Sequence, residues 1–122
     1  MRIEDFNSKK HGAVHRWLER HNHPPVNHLP EVYWVVPGVA ALGILPIGKR
    51  AILIDSLVSN PLASSAARNK AISALVNRAM AWADLHNVGC LALTSSSSTL
   101  ARAEDVGFKQ LPETVLWRNP RR

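Results

Sequence analysis

The sequence predicts an α/β domain whose mixed sheet is an antiparallel meander followed by a helical crossover to a parallel neighbour, with helices on its flanks. Three apolar runs joined by short turns predict the meander: Val32–Val36, Val39–Ile47 and Arg50–Ser59, turning at Pro37-Gly38 and Gly48-Lys49. One apolar stripe (Ile72, Leu75, Val76, Ala79, Met80 and Ala83) advances by threes and fours and predicts a long amphipathic helix. The short apolar run Cys90–Thr94 then reads as a buried strand, which a helical crossover can lay parallel to the strand before the helix.

The other elements follow in order. Met1–Phe6 mixes Ile3 and Phe6 with Arg2, Glu4 and Asp5 and reads as a first strand. Asn7 or Ser8 can cap a helix over Lys10–Arg20, where Val14, Trp17 and Leu18 share one side. The segment His21–Glu31, HNHPPVNHLPE, holds three prolines that forbid regular structure, so it reads as a loop. Beyond the break at Ser59-Asn60-Pro61 and a small-residue loop, the long helix begins near Arg68 and ends near His86-Asn87, with Gly89 as its stop. Ser95–Ser98 is a serine loop, and Thr99–Asp105 a short helix closed by Gly107-Phe108. A last hairpin pairs Lys109–Leu111 with Thr114–Arg118 about Pro112-Glu113, and 119–122 is a basic tail.

The bulk numbers narrow the class. A chain of 122 residues suits a single domain, 1–122, and 46% apolar residues suffice for a core. No window approaches the ~18 uninterrupted apolar residues of a membrane span. Charges near Met1 occupy the place of a signal peptide's apolar region, and the lone Cys90 excludes an internal disulfide, so a cytoplasmic protein is expected. The net charge of +6 comes from scattered Lys and Arg without a basic stripe or interleaved aromatics, so nucleic acid is not the expected partner.

Two pieces of this sequence carry a resemblance. Ile54-Asp55-Ser56-Leu57-Val58-Ser59-Asn60-Pro61 followed by Arg68-Asn69-Lys70-Ala71-Ile72-Ser73 resembles the fourth strand and pyrophosphate loop, Arg/Gln-x-x-Gly-x-Gly/Ala, of the GNAT N-acetyltransferase superfamily. Ala103-Glu104-Asp105-Val106-Gly107-Phe108 is similar to that family's closing Tyr-x-x-x-Gly-Phe. The likeness spans Val32 to Arg118, whereas 1–31, with its Pro-His loop, diverges. Ala71 and Ser73 stand where the family prefers glycine, Ala103 where many members place tyrosine, and Ser96 where an asparagine is usual.

The resemblance implies acetyl-CoA in a cleft where the fourth and fifth strands part. Backbone groups of Ser56, Leu57 and Val58 would hold its pantetheine arm, and Arg68, Asn69, Lys70, Ala71, Ile72 and Ser73 its pyrophosphate, at a helix start that favours anions. Acyl transfer needs a deprotonated amine, a polarised thioester carbonyl and a proton for the departing thiolate. The N–H of Leu57 or Val58 would polarise the carbonyl. Asp55, which interrupts an apolar run, is the candidate base, and the alternatives are a salt bridge to Lys49, Arg50 or another cation, or a side chain facing solvent. Ser96 is the candidate proton donor, while helix capping by Ser97 or Ser98 is the other role open to this serine run. No metal is expected, although His21, His23 and His28 cluster in the proline loop. The expected partners are acetyl-CoA and an amine acceptor. A protein partner, or a second copy contacting the face that bears Trp82, is also open. A catalytically impaired relative acting by binding another protein is the rival reading.

Overall fold

The computed structural model describes residues 1–20, 29–94 and 97–113. They belong to two compact units, Met1–Ala92 and Leu93–Arg122. The first unit holds five strands in one sheet, in sequence order: β1 (Glu4–Asp5), β2 (Val32–Val36), β3 (Ala40–Ile47), β4 (Ala51–Ser59) and β5 (Gly89–Leu91). β1 to β4 pair antiparallel, while β4 and β5 run parallel, from Ala51 opposite Gly89 to Leu53 opposite Leu91. Helix α1 (Ala13–Arg20) precedes β2, and helix α2 (Ser65–Leu85) is the crossover between β4 and β5. Parallel neighbours need such a crossover, whereas the meander needs only its tight turns. Gly38 and Gly48, at φ 75° and 61°, make those two turns.

Strand alternation gives the sheet two apolar faces, each covered by one helix. On one face Val14, Trp17 and Leu18 of α1 pack on Tyr33, Val35, Ala41 and Val58. On the other, Ala71, Leu75, Ala79 and Ala83 of α2 pack on Trp34, Val36, Leu42, Ile44 and Ile52. Those four α2 positions recur every fourth residue, and three of them are alanines, so the helix backbone can lie close to the sheet. The expected stripe is present but turned: Ile72 and Val76 flank the buried line, and Met80 is half-buried. Trp82 is half-buried against this core and stacks on His86, with ring centroids 3.7 Å apart. No described helix is long and apolar enough to cross a membrane.

Several boundaries differ from the expectation. The first strand is only Glu4–Asp5, and α1 starts at Ala13 because the Asn7 side chain is spent on the preceding turn, accepting from the Lys9 and Lys10 N–H groups. α2 starts at Ser65 rather than near Arg68, because Ser64 caps it, its Oγ accepting from Ala67 N at 3.1 Å. The left-handed residue that ends α2 is Asn87, at φ 55°, and Gly89 already opens β5. That strand stops at Leu91, short of Thr94.

In the second unit α3 covers Ser97–Asp105, so Ser97 and Ser98 are its first helical residues rather than its cap. Gly107, at φ 101°, closes it with N–H donation to Glu104 O. Lys109–Leu111 forms no strand, and the other arm of the expected hairpin, Thr114–Arg118, lies outside the described residues, as do the basic tail and His21, His23 and His28.

Candidate functional site

β4 breaks the regular sheet. Its register with β3 runs from Ala51 opposite Ile47 to Asp55 opposite Gly43, and resumes with Val58 opposite Ala41. Ser56 and Leu57 therefore share one partner position, Leu42, which makes a β-bulge. Ser56 sits at φ 53°, a left-handed conformation that costs a residue with a Cβ roughly 1–3 kcal/mol and persists only where neighbours hold it.

Tyr33 supplies that hold. Tyr33 lies opposite Gly43, and Gly43 opposite Asp55, so the three form a row across β2, β3 and β4. The phenol crosses Gly43 and donates to the Ser56 carbonyl at 2.7 Å in a buried contact. Only glycine leaves this room: a Cβ at position 43 would lie 2.6 Å from Tyr33 Cδ1 and 2.9 Å from Pro30 Cγ. Burial, and then the Asp55 charge, push the Tyr33 phenol well above its ordinary range, so it remains a proton donor. Sequence reasoning missed both Tyr33 and Gly43. The available signal was a glycine inside an otherwise apolar strand run, which marks a bulge or a close approach.

Asp55 is half-buried on the same row, and Ser56 Oγ donates to its Oδ2 at 3.2 Å. Among the described residues the ion pairs gather on Glu4, and neither Lys49 nor Arg50 pairs with Asp55. Leu57 takes its orientation from the strand beyond. Asn60 N donates to Val39 O at 2.7 Å, so alternation turns Val58 toward β3 and the Leu57 N–H to the opposite edge. Pairing with β5 ends at Leu53, and past it no described strand covers that edge of β4. The bulge thus turns one backbone donor, two residues along the strand from the Asp55 carboxylate, to an edge of β4 that no described strand pairs past Leu53.

The expected pyrophosphate loop is not a loop. Arg68, Asn69, Lys70, Ala71, Ile72 and Ser73 all lie within α2, and the Arg68 N–H already donates to Ser64 O. From there on the amides serve the helical ladder. Ala71 is fully buried and Ile72 packs on the core, so only Arg68, Asn69, Lys70 and Ser73 offer side chains outward. The physical cause is local: Ser64 caps, Ala66 and Ala67 are strong helix formers, and Ala71 and Ser73 stand where glycines would loosen the turn. The amides left at the mouth of α2 are those of Ser65 and Ala66. Arg68 reaches back to Ser65 Oγ at 3.3 Å.

Ser96 lies outside the described residues, and Ala103 lies on α3, where its carbonyl accepts from Val106 and Phe108 N–H. No group of three or more metal-binding side chains occurs among the described residues. His11 is occupied otherwise. Its Nδ1 accepts from the Asn7 N–H at 2.9 Å, and its Nε2 donates to Glu4 at 3.0 Å. His15 packs edge-on against the Phe6 ring.

No family model and no curated protein matches the sequence. Solved structures do match the fold. An acetyltransferase of Trypanosoma brucei superposes with a TM-score of 0.70 at 17% identity, covering 97% of this chain and 99% of that one. Rv2747 of Mycobacterium tuberculosis, solved in complex with CoA and NLQ, superposes at 0.76 with 14% identity, covering 96% of this chain and 76% of that one. A GNAT-family acetyltransferase, SP0256 of Streptococcus pneumoniae, gives 0.69 at 14% identity over 98% and 97%. At such identities the likeness concerns the backbone, and on that ground the chain carries the GNAT acetyltransferase fold.

Proposed function

We propose that this protein is an acyl-CoA-dependent N-acyltransferase that passes an acetyl group directly from acetyl-CoA to an amine. The observation that carries the reading is the β4 bulge, which turns the Leu57 N–H, two residues from Asp55, to an edge that no described strand pairs past Leu53. In this reading the pantetheine arm lies along β4 at Ser56, Leu57 and Val58, and the thioester carbonyl accepts from Leu57 N–H. Asp55 takes a proton from the attacking amine. The amine nitrogen bonds to the carbonyl carbon, the C–S bond breaks, and the thiolate leaves with its electron pair and takes up a proton. Ser96, in the serine run that follows the fifth strand, is the candidate to supply that last proton in place of the tyrosine that Ala103 replaces. Cationic side chains of Arg68 and Lys70, with the Ser65 and Ala66 amides, meet the phosphates in place of a glycine loop. The relative solved with CoA supports the co-substrate. Alignments spanning 96–98% of the chain support treating 1–122 as one functional domain, and the lone Cys90 fits a cytoplasmic setting.

A second reading is favoured by two features. The amides of Arg68 to Ser73 are committed to α2, and Ala103 replaces the customary tyrosine, as in a GNAT-fold protein that binds a partner without turning over.

Two measurements separate these readings. Acetyl-CoA at millimolar concentration raises Tm if it binds the native state, by the logarithm of its concentration over Kd. Thiol release with a pool of amine acceptors then distinguishes enzyme from binder. No shift sinks the acyltransferase reading, and a shift without thiol release favours the binder.

A further inference from the structure

The peptide unit between Ser56 and Leu57 is planar and trans, so its carbonyl and its N–H point in opposite directions. Tyr33 holds the carbonyl end at 2.7 Å in a buried site. The opposite end is the Leu57 N–H, the group turned to the edge of β4 that no described strand pairs past Leu53. One hydrogen bond at the carbonyl therefore fixes the direction of this donor, and the ring reaches the carbonyl only because residue 43 has no Cβ. Donation to a carbonyl also polarises its amide, strengthening the N–H on the other end.

We infer that Tyr33 is a positioning residue for acyl transfer: through Ser56 O it aims and polarises the Leu57 N–H that receives the thioester oxygen. This rests on the acyltransferase reading above. Tyr33 is 4% exposed beneath α1 and meets no substrate, so its effect passes wholly through the peptide. The bulge residue makes this necessary. Ser56 is not glycine, and its left-handed backbone would relax toward an ordinary strand if the carbonyl were released, swinging the Leu57 N–H back toward β3.

The test is Tyr33→Phe, which keeps the ring over Gly43 and removes only the hydroxyl. For the acetyl-CoA reaction the expected result is a kcat lowered about 10-fold, less than the loss of a whole oxyanion donor, with KM for acetyl-CoA within about twofold. A merely structural role would lower Tm and leave kcat of the folded fraction unchanged, and that result overturns the inference. A second measurement needs no turnover. In the free protein, Tyr33→Phe should shift the Ser56 carbonyl carbon and the Leu57 amide resonances and speed Leu57 amide exchange. Unchanged resonances there refute the positioning role. Wild type without turnover defeats the functional reading separately, and the free-protein spectra still decide whether Tyr33 sets the peptide.

Discussion

Gly43→Ala is the most direct probe of the row formed by Tyr33, Gly43 and Asp55. The new Cβ would meet Tyr33 Cδ1 at 2.6 Å, Pro30 Cγ at 2.9 Å and Val32 O at 3.1 Å. Two of these are side-chain atoms, and giving way means leaving a buried site. Overpacking of this kind costs ~1–3 kcal/mol. The lower entropy of an alanine-containing unfolded chain returns ~0.4–1 kcal/mol, which leaves a net destabilisation of about 1–2 kcal/mol. For 122 residues at ~2.1 cal/mol/K each, the unfolding entropy is about 0.26 kcal/mol/K, so Tm should fall by ~4–8 °C. Thermal unfolding and urea titration of wild type, Gly43→Ala, Tyr33→Leu and the double variant measure it as a cycle. In the Tyr33→Leu background the alanine penalty should shrink, since the shortest contact has gone, though Pro30 and Val32 O keep part of it. A Gly43→Ala protein as stable as wild type, or a penalty unaffected by Tyr33→Leu, would refute the close approach of ring and backbone.

Three other outcomes follow from the same coordinates. Asp55→Asn should retain the fold, because the residue is half-buried and its hydrogen bond among the described residues is to Ser56 Oγ, yet lower amine-dependent thiol release by about 10²-fold or more; unchanged turnover removes Asp55 as the base. Leu75→Ala, at a fully buried position on α2, should cost ~2–5 kcal/mol in urea unfolding. Leu62→Ala, 91% exposed, should change stability by no more than ~0.5 kcal/mol, and equal losses at the two positions would contradict the packing described. The Glu4 carboxyl is held below its ordinary value, chiefly by the Lys10 hydrogen bond, then by His11 and the charge of Arg2 against some desolvation. A depressed folded-state value means its stabilisation is present above the unfolded value near pH 4.5 and is lost as pH falls through the folded one. Glu4→Gln should therefore flatten the decline of Tm below about pH 4.5, and a decline as steep as wild type would exclude this cluster as an acid-sensitive tether.

What the sequence disclosed is what periodicity and local turn chemistry determine. The meander was legible because Pro37-Gly38 and Gly48-Lys49 punctuate three apolar runs, and the crossover because α2 shows its stripe. The start of α2 was legible too, since Ser64 before Ala66 and Ala67 is a capping signal. The expected boundary fell near Arg68, where the apolar stripe begins after the small-residue loop, and the family likeness then made Arg68–Ser73 a pyrophosphate loop. The bulge left one trace, the glycine of the partner strand: a serine at φ 53° looks like any strand serine, and its cause lies 23 positions upstream in Tyr33. Tyr33 and Gly43 become neighbours only once register is known, and register depends on long-range pairing that local patterns do not carry.

The bulge has one more consequence, for the fate of the chain in a crowded solution. Past Leu53 no described strand pairs with β4 on that side, and an open edge from Ile54 to Ser59 is a template on which a stray strand could zip, the first step toward edge-to-edge aggregates. A strand adds only where donors and acceptors recur at regular spacing. At Ser56 that rhythm is broken by a left-handed residue, so the outward groups before and after it cannot be matched by one straight partner. The distortion that turns a single N–H outward on β4 thus also makes the same edge a poor template for another polypeptide.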